Sequence, residues 1–141
     1  MCDMPNEISR QLRDYALACD LHDWERLADL FARGKFHLAD EPGRDGVLRW
    51  GREVSRPDAR TQHVISTVHV DVDDSGSRAA GTCYLTLISY TDDIQIVSAC
   101  YFDNEWELED GRWWWKQHRI VPLFRGDTTR IHAVHHILGG D

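Results

Sequence analysis

Two different spacings of apolar residues divide the chain. In the first 34 positions apolar residues recur every three or four residues, whereas from residue 61 onward they alternate with polar ones. The first spacing is typical of amphipathic helices, and the second is typical of half-buried strands. The chain therefore predicts helices followed by an antiparallel meander, which is an α+β fold.

Two helices are predicted at the start of the chain. Asn6 is a suitable N-terminal cap for the first helix, and Asp23 is suitable for the second. Their apolar stripes consist of Ile8, Leu12, Tyr15 and Cys19, and of Trp24, Leu27, Leu30 and Phe31. The stretch 34–40 fits a short strand, and 47–60 is compatible with a short helix.

Four long strands are predicted after the helices. They cover residues 61–72, 78–90, 94–109 and 112–124. The turn sequences DDSGS, TDD and DG separate them, which favours direct antiparallel connections. Such a sheet can curl around the helices and leave a pocket between the two layers.

Length and net charge limit the number of domains and the kinds of partner that we expect. A length of 141 residues suits one domain, 1–141, with a core over about 6–124. The net charge of −8 disfavours nucleic acid and anionic membranes as partners. No apolar run approaches the ~20 residues of a membrane span, and the first residues lack the apolar stretch of a signal peptide. We expect a cytoplasmic protein.

The four cysteines give no sign of a metal or redox motif. They are scattered through the chain with no C-x-x-C pair, so we expect reduced thiols, with a disulfide as the alternative. Nucleotide-binding, zinc-protease and α/β-hydrolase motifs are also absent from the sequence. We therefore expect a protein that uses no cofactor.

Asp20 is expected to need a polar partner. It follows Leu17, Ala18 and Cys19 at the end of the first predicted helix, at the edge of the apolar face. A carboxylate in such a place costs free energy unless something pairs with it. Asp20 is therefore a candidate for a polar site between helix and sheet.

Three stretches resemble a known family. YALACDLHDWERLADLF, TQHVIST and DGRWWWKQHRIV together are similar to the SnoaL-like group of the nuclear transport factor 2-like superfamily. The resemblance implies a cone, in which three helices pack into a curved, mostly antiparallel sheet around an apolar cavity. It also implies that Asp20 and His63 form a pair, since dehydratases and a dehydrochlorinase of the family carry these residue types there.

The chemistry of an aspartate–histidine pair agrees with that implication. A carboxylate bonded to Nδ1 fixes the tautomer of the imidazole and leaves Nε2 as a base. Tyr15, five residues before Asp20, matches a family tyrosine that would polarise a substrate carbonyl. Arg119 matches an arginine on the last strand and would anchor substrate or pair with an acid. The alternatives are a purely structural ion pair and an ordinary core tyrosine.

Aromatic residues are the expected walls of the cavity. Trp24, Trp50 and Tyr84 are predicted to line it, which suits a small apolar or aromatic molecule. The three consecutive tryptophans 113–115 cannot all face one way on a strand. At least one is expected to face outward, which favours a homo-oligomer, either a dimer or a trimer.

The remaining histidines have less specific expectations. His22 and His37 are expected at the surface. In the tail 125–141, His132 and His136 are four residues apart, but two histidines do not make a metal site, so no metal is predicted. The tail is expected to form a flap over the cavity or an interface.

The resemblance implies a cofactor-independent lyase of the dehydratase type. His63 would remove a proton from a small polycyclic, steroid-like or polyketide-derived compound. The first alternative is a polyketide cyclase or isomerase that uses the same pair. The second is a non-catalytic small subunit, like those of ring-hydroxylating dioxygenases.

Overall fold

The computed structural model of this chain describes residues 4–133. Helices come first and strands follow, as predicted. The elements are α1 (Asn6–Leu21), α2 (Trp24–Leu30), α3 (Gly43–Glu53), β1 (Thr61–Val72), β2 (Arg78–Ser89), β3 (Gln95–Glu109), β4 (Arg112–Arg125) and a short 3-10 turn, Thr128–Arg130.

The strands form one antiparallel sheet in the order β1-β2-β3-β4. The sheet is curved and open, and α1 packs against β1 and β4 inside the curve. The prediction of a cone-shaped α+β fold is confirmed. The predicted strand at 34–40 is wrong, because only Lys35 forms a bridge there, parallel to Gln117 on the edge of β4.

Bulges reverse the side of the sheet that a residue faces. In β1 two residues lie between Ser66 and His69, opposite a single residue of β2, and Thr67 has a φ of 52°. In β4 the pairing shifts at Lys116, between Trp115 and Gln117. Because side chains alternate along a strand, one extra residue moves the following side chains to the opposite face.

The ends of the first two helices set the corner beside the candidate site. The prediction that Asn6 caps α1 is wrong, because the helix begins at Asn6 and has Pro5 before it, with no side-chain cap. Asp23 caps α2 as predicted, with its Oδ1 accepting from the Arg26 N–H at 3.2 Å. Between the two helices His22 adopts a left-handed φ of 55°, which ends α1 abruptly.

The core is mostly aromatic on the side of the cone that faces β3 and β4. Its largest fully buried side chains are Trp106, Trp115, Phe31, Phe36 and Phe102. Rings of this size dominate the energetics of a small core. Cys19, Cys83 and Cys100 are buried free thiols, as predicted for these three, and Cys2 lies outside the described residues.

The last described residues fold back across the cone. Arg56 N–H donates to Ile131 O and Ala133 N–H donates to Val54 O, both at 2.8 Å, so His132 is bridged to Ser55. This part of the predicted flap closes one side of the cavity, while His136 lies outside the described residues. In the part from 4 to 133, no helix has both the length and the apolar character needed to cross a membrane.

Candidate functional site

Asp20 accepts hydrogen bonds from three different groups of β1. Nδ1 of His63 lies 2.6 Å from its Oδ1, and Thr61 Oγ1 donates to the same oxygen at 2.9 Å. The His63 backbone N–H approaches both carboxylate oxygens, at 3.1 and 3.0 Å. Asp20 therefore holds both the ring and the backbone of His63.

The fold explains why these groups meet. Asp20 lies in the last turn of α1, where the helix dipole disfavours a negative charge, so partners from outside the helix matter there. β1 is an edge strand of the sheet, and backbone N–H groups along a free edge lack strand partners. The carboxylate supplies an acceptor for one of these groups and orients the ring of the same residue.

The charge of Asp20 defines the tautomer of His63. Burial raises the pKa of the Asp20 carboxyl, but hydrogen bonds from the His63 ring and backbone and from Thr61 outweigh it, so the pKa is lowered below 3.8. An ionised carboxylate can only accept hydrogen bonds. Nδ1 of His63 must therefore carry the proton, and Nε2 of the neutral ring is a free acceptor.

A small apolar cavity of about 60 Å³ lies against His63. Its walls come from all three helical segments, from β1 and β2, and from the C-terminal segment. They include Tyr15, Cys19, His22, Trp24, Phe36, Leu38, Trp50, Thr61, Leu87, Ile131 and His132. No hydrogen-bond partner of His63 Nε2 occurs within residues 4–133, so this nitrogen is available to a molecule in the cavity.

Tyr15 borders the cavity from the core side. Its ring lies 6.2 Å from the His63 ring in an edge-on arrangement, and only 2% of the residue is exposed. Burial, followed by the nearby thiols of Cys19, Cys100 and Cys83, raises the pKa of its phenol well above 10. Tyr15 therefore stays protonated at neutral pH. Its hydroxyl is hydrogen-bonded to the Cys19 thiol, which a substrate oxygen would replace as its partner.

His118 is a second interior histidine, which the sequence analysis missed. It is 4% exposed and its ring contacts Tyr15, Phe36 and Phe102. The backbone N–H of His37 donates to its Nδ1 at 3.2 Å, and its buried Nε2 has no partner in the described chain. Burial, and then the neighbouring His37, lower the pKa of His118 to about 3, so the ring is neutral.

Two predicted substrate-binding residues face away from the cavity. Arg119 follows the bulge at Lys116, so it points outward and pairs with Asp103 at 2.7 Å. Tyr84 is 49% exposed, because the alternate residues Cys83 and Leu85 face inward. Neither residue borders the cavity, and Arg119 forms the ion pair that was the alternative to anchoring substrate.

Trp24 and Trp50 both line the cavity, and their rings meet nearly perpendicular at 5.3 Å. His22, which was predicted at the surface, is partly exposed, and it also lines the cavity and stacks on Trp24. Of the three consecutive tryptophans, Trp114 faces outward as expected. Its ring is covered by the Arg33 guanidinium at 4.0 Å, so it is not a bare apolar contact surface.

The structure has no group of three or more His, Cys, Asp and Glu side chains that could hold a metal ion within residues 4–133. The polar groups of the cavity are instead suited to moving protons. They are an imidazole oriented by a carboxylate, a protonated phenol, and a further imidazole from His132.

Solved structures with the same fold include proteins of different names. A candidate scytalone dehydratase from Novosphingobium aromaticivorans is 22% identical, with 86% of this chain and 85% of that chain covered and a TM-score of 0.67. A hexachlorocyclohexane dehydrochlorinase, LinA type 2, is 18% identical, with 84% of each chain covered and a TM-score of 0.71. At these identities the likeness shows the fold alone.

A third similar structure is an NTF2-like protein with a cystatin-like fold, also from Novosphingobium aromaticivorans. It is 16% identical and covers 84% of this chain and 80% of that chain, with a TM-score of 0.71. No curated protein matches the chain. The family model of the SnoaL-like domain matches residues 4–119, and the chain therefore belongs to the SnoaL-like domain family.

Proposed function

We propose that this protein is a cofactor-independent lyase of the dehydratase type, acting on a small apolar carbonyl compound. The proposed substrates are polycyclic, steroid-like or polyketide-derived compounds. The observation that carries the proposal is the Asp20–His63 pair, whose remaining ring nitrogen borders an apolar cavity. A neutral imidazole in that position can remove a proton next to a carbonyl.

The proposed reaction moves one proton and expels one water. His63 Nε2 takes the proton from the carbon beside the carbonyl, and the electrons of that C–H bond form an enolate. The enolate collapses, the C–O bond of a β-hydroxyl breaks, and the departing oxygen takes the proton back from the imidazolium. Asp20 stabilises the imidazolium between the two transfers, and Tyr15 donates a hydrogen bond to the enolate oxygen.

The comparisons support an elimination. The chain belongs to the SnoaL-like family, and two proteins of the same fold bear names that describe loss of water and loss of hydrogen chloride. Both reactions begin with removal of a proton next to a leaving group. Isomerisation or ring closure begins in the same way, so product mass distinguishes these alternatives from dehydration.

The size of the cavity favours the non-catalytic alternative. A volume of about 60 Å³ lies below the ~150 Å³ in which a benzene-sized ligand is known to fit. In a purely structural subunit the side chains would fill the cone in this way. Binding and turnover measurements on the isolated chain separate that reading from the lyase.

The test uses a two-ring β-hydroxy ketone, 3-hydroxy-1-tetralone, which loses water to give fluorescent 1-naphthol. We expect the wild-type protein to accelerate this loss, and His63→Gln to lose about 10²–10⁴-fold of the acceleration. The matched control is His69→Gln, since His69 forms an exposed pair with Asp71 at 3.0 Å on the same strand. We expect this control to match the wild-type rate.

A second assay measures proton removal from a ketone that has no leaving group. In D₂O, exchange of the protons next to the carbonyl of 2-tetralone reports on abstraction alone. We expect exchange in the wild type and in His69→Gln and its loss in His63→Gln. Equal rates in His63→Gln and wild type on both probes would contradict the proposal, as would a folded wild type that binds the probes and turns over neither.

A further inference from the structure

The cavity beside His63 is too small for the proposed substrate as it stands. Its volume of about 60 Å³ is well below the ~300 Å³ at which pockets for drug-sized ligands begin. If the proposed function holds, a ring compound needs more space than this volume provides, either through the mouth of the cavity or by movement of one wall. Movement requires a wall that the core does not fix and a space into which that wall can turn.

A larger groove lies directly behind one wall. Its volume is about 330 Å³, and it shares two of its walls, Trp24 and His22, with the cavity. The rest of its lining comes from Asp23, Glu25, Leu48 and Arg52. Trp24 and His22 thus border both the small inner chamber next to His63 and the outer groove. We call the Trp24 indole the partition.

The partition consists of rings stacked on one another. The Trp24 indole lies nearly parallel to the His22 ring at 5.3 Å and perpendicular to Trp50 at 5.3 Å. On its other side it rests on bare backbone, since a Cβ placed on Gly51 would come within 2.5 Å of the indole Cγ. Trp24 is only partly buried and packs against the edge of the core. A change of its side-chain rotamer would not require α2 to unfold.

The other walls are held more firmly. Tyr15, Cys19 and Leu87 belong to the buried core. The C-terminal wall is bonded through its backbone to Val54 and Arg56, and Arg130 beside it pairs with Asp93 and Asp127.

Leu38 is a different case from these walls. It is 41% exposed and borders the cavity but not the groove. Moving it would widen the mouth of the cavity without adding a second chamber, so it serves as the control position.

We propose that Trp24 is a movable partition and that its displacement joins the cavity and the groove into one site for flat two-ring compounds. The reacting carbon then lies next to His63, and the second ring occupies the groove. Trp24 sets the size of substrate that the closed form excludes. This inference rests on the proposed function for its substrate class but concerns binding, which does not require the base.

The first experiment measures binding of 1-naphthol by calorimetry in a His63→Gln background, so that turnover plays no part. A closed partition lowers the apparent affinity by the fraction of molecules that are open. We therefore expect Trp24→Ala to bind about tenfold more tightly or better than the Trp24 protein. Leu38→Ala, the matched control, does not open the groove, so its affinity for 1-naphthol should stay within about threefold of that of the Trp24 protein.

The second experiment needs no substitution at the partition. Tryptophan is replaced throughout by 5-fluorotryptophan, and the Trp24 signal is assigned by its loss in Trp24→Phe. On addition of 1-naphthol we expect the ¹⁹F signal of Trp24 to shift, and that of Trp114, on the outer face, to stay in place. If Trp24→Ala fails to fold, this measurement still tests the proposal, because a Trp24 signal that stays in place contradicts movement of the ring.

Two results would overturn the partition. One is an affinity for 1-naphthol in folded Trp24→Ala that does not exceed that of Leu38→Ala, including no binding by either. The other is a Trp24 signal that does not respond at saturating 1-naphthol. Failure of the proposed function looks different, because His63→Gln would then turn over the ketone probes at the wild-type rate while the binding results stayed as described.

Discussion

Two histidines on the inner face of the same sheet have opposite surroundings. His63 on β1 bonds its Nδ1 to a carboxylate and borders a cavity with the rest of its ring. His118 on β4 accepts a backbone N–H at Nδ1 and is enclosed by aromatic rings. The first arrangement leaves Nε2 as a base, and the second leaves Nε2 protonated and buried.

The comparison shows that the partner of Nδ1 decides what an interior histidine can do. A carboxylate holds a proton on Nδ1 and stabilises the imidazolium, so the opposite nitrogen can take up a proton. A backbone N–H holds Nδ1 bare, and burial without a counter-charge keeps the pKa of His118 far below its usual value. These surroundings support the proposed role of His63 as the base and favour a structural role for His118.

The largest expected effect comes from removing the carboxylate of Asp20, which distinguishes His63 from His118. Asp20→Asn replaces an acceptor by an amide that neither fixes the tautomer reliably nor stabilises a cation. We expect the rate of 1-naphthol formation from 3-hydroxy-1-tetralone to fall by about 10²–10⁴-fold. Asp71→Asn, which alters the exposed pair on the same strand, should leave the rate unchanged.

The second effect concerns stability and comes from His118. His118→Phe keeps a ring in the aromatic core but leaves the His37 N–H without its acceptor. We expect a loss of about 1–3 kcal/mol in the free energy of unfolding, measured with urea. The rate per folded molecule should stay near wild type; a loss as large as that of His63→Gln would assign catalysis to the wrong histidine.

The third effect is a pH dependence of stability that originates at His118. Its pKa is about 3 in the folded protein and near 6.5 when unperturbed. Below pH 6.5 the unfolded chain therefore binds a proton that the folded chain does not, so the free energy of unfolding decreases as the pH falls. The stability is fully present above pH 6.5 and continues to decline toward pH 3.

Other groups change stability in the same direction, so the test needs a control. The lowered pKa of His37 adds to the decline below pH 6.5, while the lowered pKa of Asp20 acts only near and below its ordinary value of 3.8. Between about pH 4.5 and 6, His118→Phe should therefore show a shallower slope than wild type. Identical slopes in urea unfolding would contradict a neutral buried His118.

The smallest effect is expected at Arg119, the neighbour of His118 on the opposite face. Its ion pair with Asp103 is exposed, and pairs of this kind contribute about 0–1 kcal/mol. Arg119→Ala should change the urea midpoint only slightly and leave the rate on 3-hydroxy-1-tetralone unchanged. A rate loss of tenfold or more would restore Arg119 as a substrate contact.

Elements that a local pattern determines were predictable from the sequence. The alternation over 61–72 predicted β1, and the Asp23 cap predicted the start of α2. The direction of the side chains after a bulge was not predictable, because the shift at Lys116 places His118 inside and Arg119 outside. Alternation gives two faces of a strand but not which of them is buried, and Tyr84 lies on the exposed face of β2.

The candidate site could be predicted only in part, because its contacts join residues that are far apart in the sequence. The pairing of Asp20 with His63 followed from a family resemblance, since no local pattern relates residues 43 positions apart. The walls formed by His22 and His132 depend on the corner after α1 and on the chain returning to Ser55. Contacts of this kind arise only when the whole chain is folded.

The most direct test is a ¹⁵N–¹H correlation spectrum of the histidine rings at pH 8, with and without 1-naphthol. We expect His63 to carry its proton on Nδ1 and His118 on Nε2. Addition of 1-naphthol should shift the Nε2 signal of His63 and leave His118 unchanged. A proton on Nε2 of His63, or equal responses of the two rings, would contradict the assignment of His63 as the base.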